Sequence, residues 1–315
     1  MKPLLLCLIP LGKRRPIIEQ ACEEFGLELL IADSRPARTA AVAEHAARVR
    51  VVASNGTTGL DEAEIAAMPA LGLIIAFGVG YERIAIDAAR QRGIAVANGA
   101  GSNAACVADH ALALLLGVIR GLRPLDSACR AGVWRDSLPL YPQLAGKRVG
   151  IVGFGNVGSR IAQRVAAFDA EVGYHSRTRR DTVPWPYFAD AASLAEWSDH
   201  LVIATPGGAE THHLIDAKVL NGLGKRGCVV NVARGSVVDT AALAAALHEG
   251  RLAGAGLDVY ESEPEPPREL FDVPNLLLTP HVGGNSPEAI TAGIELLGAN
   301  LRRHMRGEPL LTPVA

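Results

Sequence analysis

The sequence has no excess of charge: its 315 residues carry a formal net charge of −2. No global field draws it to nucleic acid, so basic character matters only where it clusters. It has no long apolar run. None approaches the roughly eighteen apolar residues that a membrane span needs, and no membrane partner is expected. The opening MKPLLLCLIPLG holds two prolines, a single lysine before its apolar run and no small-residue cleavage site after it. It reads as a buried first strand rather than a signal peptide. Cysteine is sparse, at positions 7, 22, 106, 129 and 228, with no CxxC pair and no Cys/His group at metal-ligand spacing. An odd, scattered set suits a reducing cytoplasm and predicts neither a disulfide framework nor a metal. Low-complexity tracts and short repeats are missing too. What is left is an ordinary globular balance, 49% apolar and 20% charged, in a chain long enough for about two domains.

Short apolar runs alternate with Ala-rich helical segments. PLLLCLI, LELLIA, RVRVVAS, LGLIIAF and GIAVAN predict five strands between residues 3 and 98, with helices such as PIIEQACEEFG and DEAEIAAM between them. Continuous apolar strands separated by helices imply a parallel sheet covered on both faces. One longer helical stretch, residues 103–132, breaks the rhythm, and the alternation then restarts with KRVGIVG, AEVGYH, DHLVIAT, GCVVNVA, AGAGLDV and NLLLTPH. This predicts an α/β protein of two doubly wound parallel-sheet (Rossmann- or flavodoxin-like) domains. A final helix, PEAITAGIELLGANLRRHMRG, follows the last strand. Periodicity leaves open which domain it joins.

GFGNVG follows the strand KRVGIV and opens the helix NVGSRIAQRVAAF. In such a loop Gly153 permits the tight turn, Gly155 lets a pyrophosphate approach the backbone, and Gly158 lets helix and strand pack closely. Asn156, Val157 and Gly158 open the helix, whose free N–H groups and partial positive charge face the phosphates. About twenty residues on, where an NAD site usually has an acid that binds the ribose hydroxyls, the chain offers His175, Ser176, Arg177 and Thr178. Arg177 can pair bidentately with a 2′-phosphate while the two hydroxyls donate to its remaining oxygens. NADP(H) is expected over NAD(H), with Arg179 and Arg180 peripheral.

Three polar residues follow strands of the second domain: Arg234 in VARGSVVD, Glu263 in LDVYESEPEP and His281 in PHVGG. Open α/β sheets bind their ligands at the carboxyl ends of strands. The set suits hydride transfer to a 2-keto acid. Arginine holds the carboxylate or polarises the carbonyl, histidine protonates the developing alkoxide, and a glutamate beside it keeps the imidazole loaded.

These motifs, in this order and spacing, resemble the D-isomer-specific 2-hydroxyacid dehydrogenases. FGVGYERIAIDAARQRGIAVAN and VADHALALLL extend the resemblance over essentially the whole chain. It implies that Arg234, Glu263 and His281 form the catalytic set, with Glu263 rather than Glu261 as partner of the histidine. It also implies that backbone N–H groups around Val79 and Gly80 bind the substrate carboxylate, and that Thr205, Ala233, Asp258 and Gly283 line the cofactor site. Asn55, Gly56, Thr57 and Thr58 are expected to face the substrate. The implied architecture is discontinuous: residues 1–98 and 286–315 bind substrate, residues 99–285 bind the dinucleotide, and a cleft lies between. A homodimer joined through residues 103–145 is also implied. RGEPLLTPVA together with SRTRR is most similar to the NADPH-preferring glyoxylate/hydroxypyruvate reductases and the hydroxyphenylpyruvate reductases.

Glyoxylate and hydroxypyruvate lead as substrates, with phenylpyruvates second. A dinucleotide-sensing corepressor is the alternative of another class, and NADPH turnover with any keto acid separates the two. Two departures stand out. Ser286 replaces a frequent threonine, and Gly207 and Gly208 stand where relatives often carry a larger residue after the proline. The second predicts a looser loop with no role toward substrate.

Overall fold

The structure is a computed structural model, and it describes residues 2–12, 15–273 and 275–314. It divides into two compact units: residues 1–103 with 286–315, and residues 104–285. The break falls a few residues beyond the 98/99 boundary expected from the sequence.

In the first unit, β1 (Leu4–Cys7), β2 (Glu28–Ile31), β3 (Val49–Asn55), β4 (Leu73–Phe77) and β5 (Ala95–Ala97) form a sheet in the order β2-β1-β3-β4-β5, every pair parallel, with α1 (Arg15–Glu24), α2 (Arg35–His45), α3 (Glu62–Ala67) and α4 (Ile86–Gln91) in the connections between successive strands. The opening apolar run is therefore a buried inner strand. Its side chains alternate between two cores, Leu4 and Leu6 on one face and Leu5 and Cys7 on the other. Burial on both faces is what an uninterrupted apolar run requires.

The final helix, α11 (Pro287–Met305), packs in this unit, where Leu297 and Leu301 join the core that holds Leu5, Ile18 and Cys22. Asn300, fully buried, fixes the chain beyond it: its Oδ1 accepts from Leu311 N at 2.8 Å and its Nδ2 donates to Thr312 Oγ1 at 2.9 Å.

The second unit holds β6 (Arg148–Val152), β7 (Glu171–His175), β8 (Tyr187–Phe188), β9 (His200–Ile203), β10 (Cys228–Asn231), β11 (Gly254–Leu257) and β12 (Leu276–Leu278). Their order is β12-β11-β10-β9-β6-β7-β8, again all parallel. The chain winds outward in both directions from β6. That makes the end of β6 the switch point where doubly wound sheets bind nucleotides. β8 is only two residues long, too short to leave an apolar run in the sequence.

The helical stretch 103–132 is not one element but two, α5 (Ala104–Ile119) and α6 (Leu122–Arg130), bent by 60°. Gly121 makes the corner at φ +59°, and the Tyr141 ring occupies the space a Cβ there would need. Among the described residues no single helix is long and apolar enough to cross a membrane.

Candidate active site

β6 runs into Gly153, whose φ of +95° favours glycine. A Cβ there would also lie 2.6 Å from Thr205 N and 2.7 Å from the Ala204 carbonyl. The first glycine thus brings the end of β9 against the turn, with Thr205 beside it. A Cβ at Gly158 would run into the Gly153 carbonyl oxygen. At Gly155 the direction is open, with no protein atom within 4 Å. The helix that follows, α7 (Asn156–Ala166), begins at Gly155 with no side-chain cap, whereas α8 (Ala191–Trp197), α9 (Ala217–Leu223) and α10 (Thr240–His248) are capped by Asp190, Asp216 and Asp239. An open glycine face before an uncapped helix start fits the pyrophosphate of a dinucleotide.

At the end of β7 the His175 ring donates from Nδ1 to the Phe188 carbonyl at 3.0 Å, which ties it to β8. Ser176 Oγ donates to the Thr178 carbonyl at 2.7 Å, closing the turn. The hydroxyl expected to face a phosphate is therefore engaged within its own loop. Thr178 is exposed. Arg177 projects at the tip, its side chain 88% exposed, with Glu210 Oε2 3.8 Å from its guanidinium.

The third group gathers around Asp258, which follows β11 and is only 3% exposed. Its carboxylate accepts from Thr279 Oγ1 at 2.7 Å, Val282 N at 2.9 Å and Gly283 N at 2.8 Å. These bonds clamp the loop after β12. Within it His281 adopts φ +53°, a strained region for a non-glycine residue, and its N–H donates to the Asp258 carbonyl at 2.8 Å. The imidazole Nδ1 lies 2.8 Å from Glu263 Oε2. A carboxylate only accepts, so Nδ1 carries the hydrogen and Nε2 is left to work outward. Glu263 is itself held, its Oε1 accepting from Tyr260 N at 2.9 Å.

The hydrogen bond to Glu263 raises the His281 pKa against the opposing effect of burial, and Arg234 nearby works to lower it. For Glu263 burial opposes ionisation, but the bonds from His281 and Tyr260 outweigh it and hold the carboxyl below its ordinary range. Burial and Asp258 push the Tyr260 phenol up to about 12, so it stays neutral and donates to the Thr279 carbonyl at 2.5 Å.

Arg234 follows β10 and is partly buried. Its carbonyl accepts from Asn231 Nδ2 at 3.0 Å, and Asn231 Oδ1 accepts from Ala233 N at 3.0 Å. Glu261 is engaged elsewhere, with His213 Nε2 at 2.7 Å and Thr240 N at 3.0 Å. Sequence spacing offered no metal-ligand group, yet the fold brings ligand atoms of His212, His213 and Glu261 within 4.8 Å of one another. Both oxygens of that carboxylate already accept hydrogen bonds.

The Gly207–Gly208 loop is not loose. Thr211 Oγ1 donates to the Pro206 carbonyl at 2.8 Å and Thr211 N to the Gly208 carbonyl at 3.1 Å.

In the first unit, Asn55 ends β3. Its Oδ1 accepts from Thr57 N, Thr57 Oγ1 and Thr58 N at 3.0, 2.9 and 2.6 Å. A Cβ at Gly56 would lie 2.7 Å from the Gly80 carbonyl carbon, so glycine lets the two loops touch. The Val79 carbonyl accepts from Asn98 Nδ2 at 2.8 Å.

The family model for the NAD binding domain of D-isomer specific 2-hydroxyacid dehydrogenases matches residues 112–283. A hydroxyphenylpyruvate reductase of Plectranthus scutellarioides is 39% identical over 282 residues, covering 89% of this chain and 90% of the relative. The chain belongs to the D-isomer specific 2-hydroxyacid dehydrogenases. A glyoxylate/hydroxypyruvate reductase A of Arabidopsis thaliana shares 38% identity with this dehydrogenase over 280 residues, 89% of this chain and 90% of the relative. Among solved structures, an NADPH-dependent glyoxylate/hydroxypyruvate reductase from Sinorhizobium meliloti, in complex with NADP and malonate, superposes at a TM-score of 0.89 with 36% identity, covering 100% of this chain and 97% of that one.

Two features of the candidate site leave almost no mark in the local sequence. The resemblance puts Asp258 along the cofactor site, but its grip on the His281 loop shows in no local pattern. The other is His110, inside VADHALALLL on α5. Its Nε2 lies 2.9 Å from Thr279 Oγ1 and 3.4 Å from Asp258 Oδ1, so it backs the same clamp. A histidine on an apolar helix face was the one available signal.

Proposed function

We propose that this dehydrogenase reduces small 2-keto acids, glyoxylate and hydroxypyruvate foremost, to D-2-hydroxy acids with NADPH. The observation that carries the reading is the His281–Glu263 pair, whose hydrogen bond favours the protonated ring. Gly153, Gly155, Asn156, Val157, Gly158, Thr205, Ala233 and Gly283 hold the cofactor in this reading, with Asp258 fixing the loop that carries Gly283. When bound, the nicotinamide supplies the hydride. His281 delivers the proton from Nε2 to the substrate oxygen, and Glu263 stabilises the imidazolium from the other side. Arg234 binds the carboxylate and stabilises charge growing on the carbonyl; Val79 and Gly80 are further candidates for binding substrate. Arg177 selects NADPH over NADH, His175, Ser176 and Thr178 shape its loop, and NAD(H) serves more weakly.

A panel of 2-keto acids followed by NADPH absorbance tests the reading, with malonate as a non-reducible competitor. No turnover of any keto acid would remove it. Preference for 4-hydroxyphenylpyruvate over glyoxylate would move the substrate class toward that of the Plectranthus relative.

The pair also predicts a pH effect. Reduction needs imidazolium, so the rate falls as pH rises through the His281 pKa. Glu263 raises that pKa, and removing its charge lowers it. Glu263→Gln should therefore move the alkaline limb of kcat/KM to lower pH. Glu261→Gln, whose carboxylate pairs with His213, should leave the limb in place. Paired pH–rate curves decide, and a shift confined to the Glu261 variant would reverse the assignment.

A cytoplasmic homodimer belongs to the same reading. The scattered cysteines support the compartment. Exposed apolar side chains within residues 103–145 support the assembly: Leu122 56%, Val133 38%, Trp134 72% and Leu140 100% exposed. Trp134→Glu should shift the protein toward monomer in sedimentation. A monomeric parent protein would end that part of the proposal.

A further inference from the structure

We infer that Gly207 is a positioning residue for Arg234: its missing side chain is the space across which the arginine stem reaches the substrate. The inference rests on the proposed reading of Arg234 as the substrate-carboxylate contact. A Cβ built on Gly207 would stand 2.8 Å from Arg234 Cγ, 3.3 Å from its Cβ and 3.9 Å from its Cδ. The first of these distances is closer than two carbons can approach, so one partner has to move.

The backbone on the glycine side is held. Pro206 has its φ fixed by the ring, Gly208 sits at φ +137°, and Thr211 Oγ1 reaches back to the Pro206 carbonyl at 2.8 Å and the Gly208 carbonyl at 3.3 Å. The backbone on the arginine side is held too. Asn231, 1% exposed, donates to the Arg234 carbonyl. The next residue, Gly235, is wedged so tightly against the Tyr260–Glu261 backbone that no Cβ fits there. Neither backbone yields cheaply, so the Arg234 side-chain torsions take up the displacement. A shift at Cγ is magnified at the guanidinium, which lies further along the stem. The Gly207 φ lies outside the left-handed region, so alanine is acceptable to the local backbone and the cost falls on the arginine.

The test uses the full-length protein with NADPH bound and malonate as probe, measured by calorimetry, beside KM for glyoxylate. Gly207→Ala should weaken malonate binding and raise the glyoxylate KM on the order of tenfold, the scale of a misaligned charge-assisted hydrogen bond. The dissociation constant for NADPH should not change. In an Arg234→Ala background Cγ and the rest of the stem are gone and only the 3.3 Å contact to Cβ is left, so adding Gly207→Ala should cost little further. A purely structural effect of the loop would persist undiminished in that background, and this would overturn the inference. Wild-type malonate affinity in Gly207→Ala would overturn it as well. If Gly207→Ala fails to fold while the double variant folds, the clash is with Arg234 and the inference stands; if both fail, it does not. The arms also separate this inference from the functional reading. A parent protein that neither binds malonate nor reduces any keto acid removes the role of Arg234 itself. An active parent with an unaffected Gly207→Ala variant removes only the part given to Gly207.

Discussion

Replacing His281 with alanine is expected to lower kcat for keto-acid reduction by roughly 10²–10⁴-fold, the usual worth of a positioned general acid. NADPH binding, followed by fluorescence, should survive, because the glycine loop and α7 follow β6 whereas His281 follows β12. The geometry adds a control. His281 sits at φ +53°, where alanine carries a backbone penalty of roughly 1–2 kcal/mol but asparagine is better tolerated. His281→Asn should therefore lose activity to the same degree while keeping more of the parent's thermal stability. A kcat within a few-fold of the parent in either variant would mean that the proton comes from another group. A loss of activity that tracked melting temperature across the two variants would point to the clamp around Asp258 rather than to proton transfer.

Arg177→Ala should raise the KM for NADPH by about ten- to a hundredfold while leaving that for NADH nearly unchanged, since a charge-assisted contact to the 2′-phosphate is lost. The structure supplies a second arm. Glu210 stands 3.8 Å from the Arg177 guanidinium and opposes an incoming phosphate. Glu210→Gln should lower the NADPH KM, the opposite direction from Arg177→Ala. Both effects should shrink at high salt, because the arginine and the glutamate are exposed and screened. Equal effects of Arg177→Ala on the two cofactors would mark a solvated arginine with no part in selection.

Much of this architecture is written in short stretches of sequence. Runs such as RVGIV and CVVN are apolar at every position or nearly so, and only a strand buried on both faces accommodates them. GFGNVG encodes its own turn, because Gly153 takes φ +95° and a Cβ at Gly158 would strike the Gly153 carbonyl. Other features are invisible at that range. The stretch 103–132 is apolar enough to read as one helix. Its corner is at Gly121, where the Tyr141 ring, twenty residues further on, leaves no room for a Cβ. Nothing in TPGGAETHHLI reveals that Thr211 ties its own loop closed.

The sequence by itself determined most of the elements, the nucleotide loop and the presence of Arg234, Glu263 and His281 after strands. Strand periodicity, glycine sterics and chain connectivity act between near neighbours, and each leaves a local pattern. Tertiary structure alone decided the pairings. It set α11 against the first sheet through Leu297 and Leu301, brought Glu263 to His281 while Glu261 went to His213, and laid the Arg234 stem across Gly207. Each of these joins segments that at least one strand separates in the chain. Which loops meet depends on strand order, a property of the whole sheet that no single segment carries.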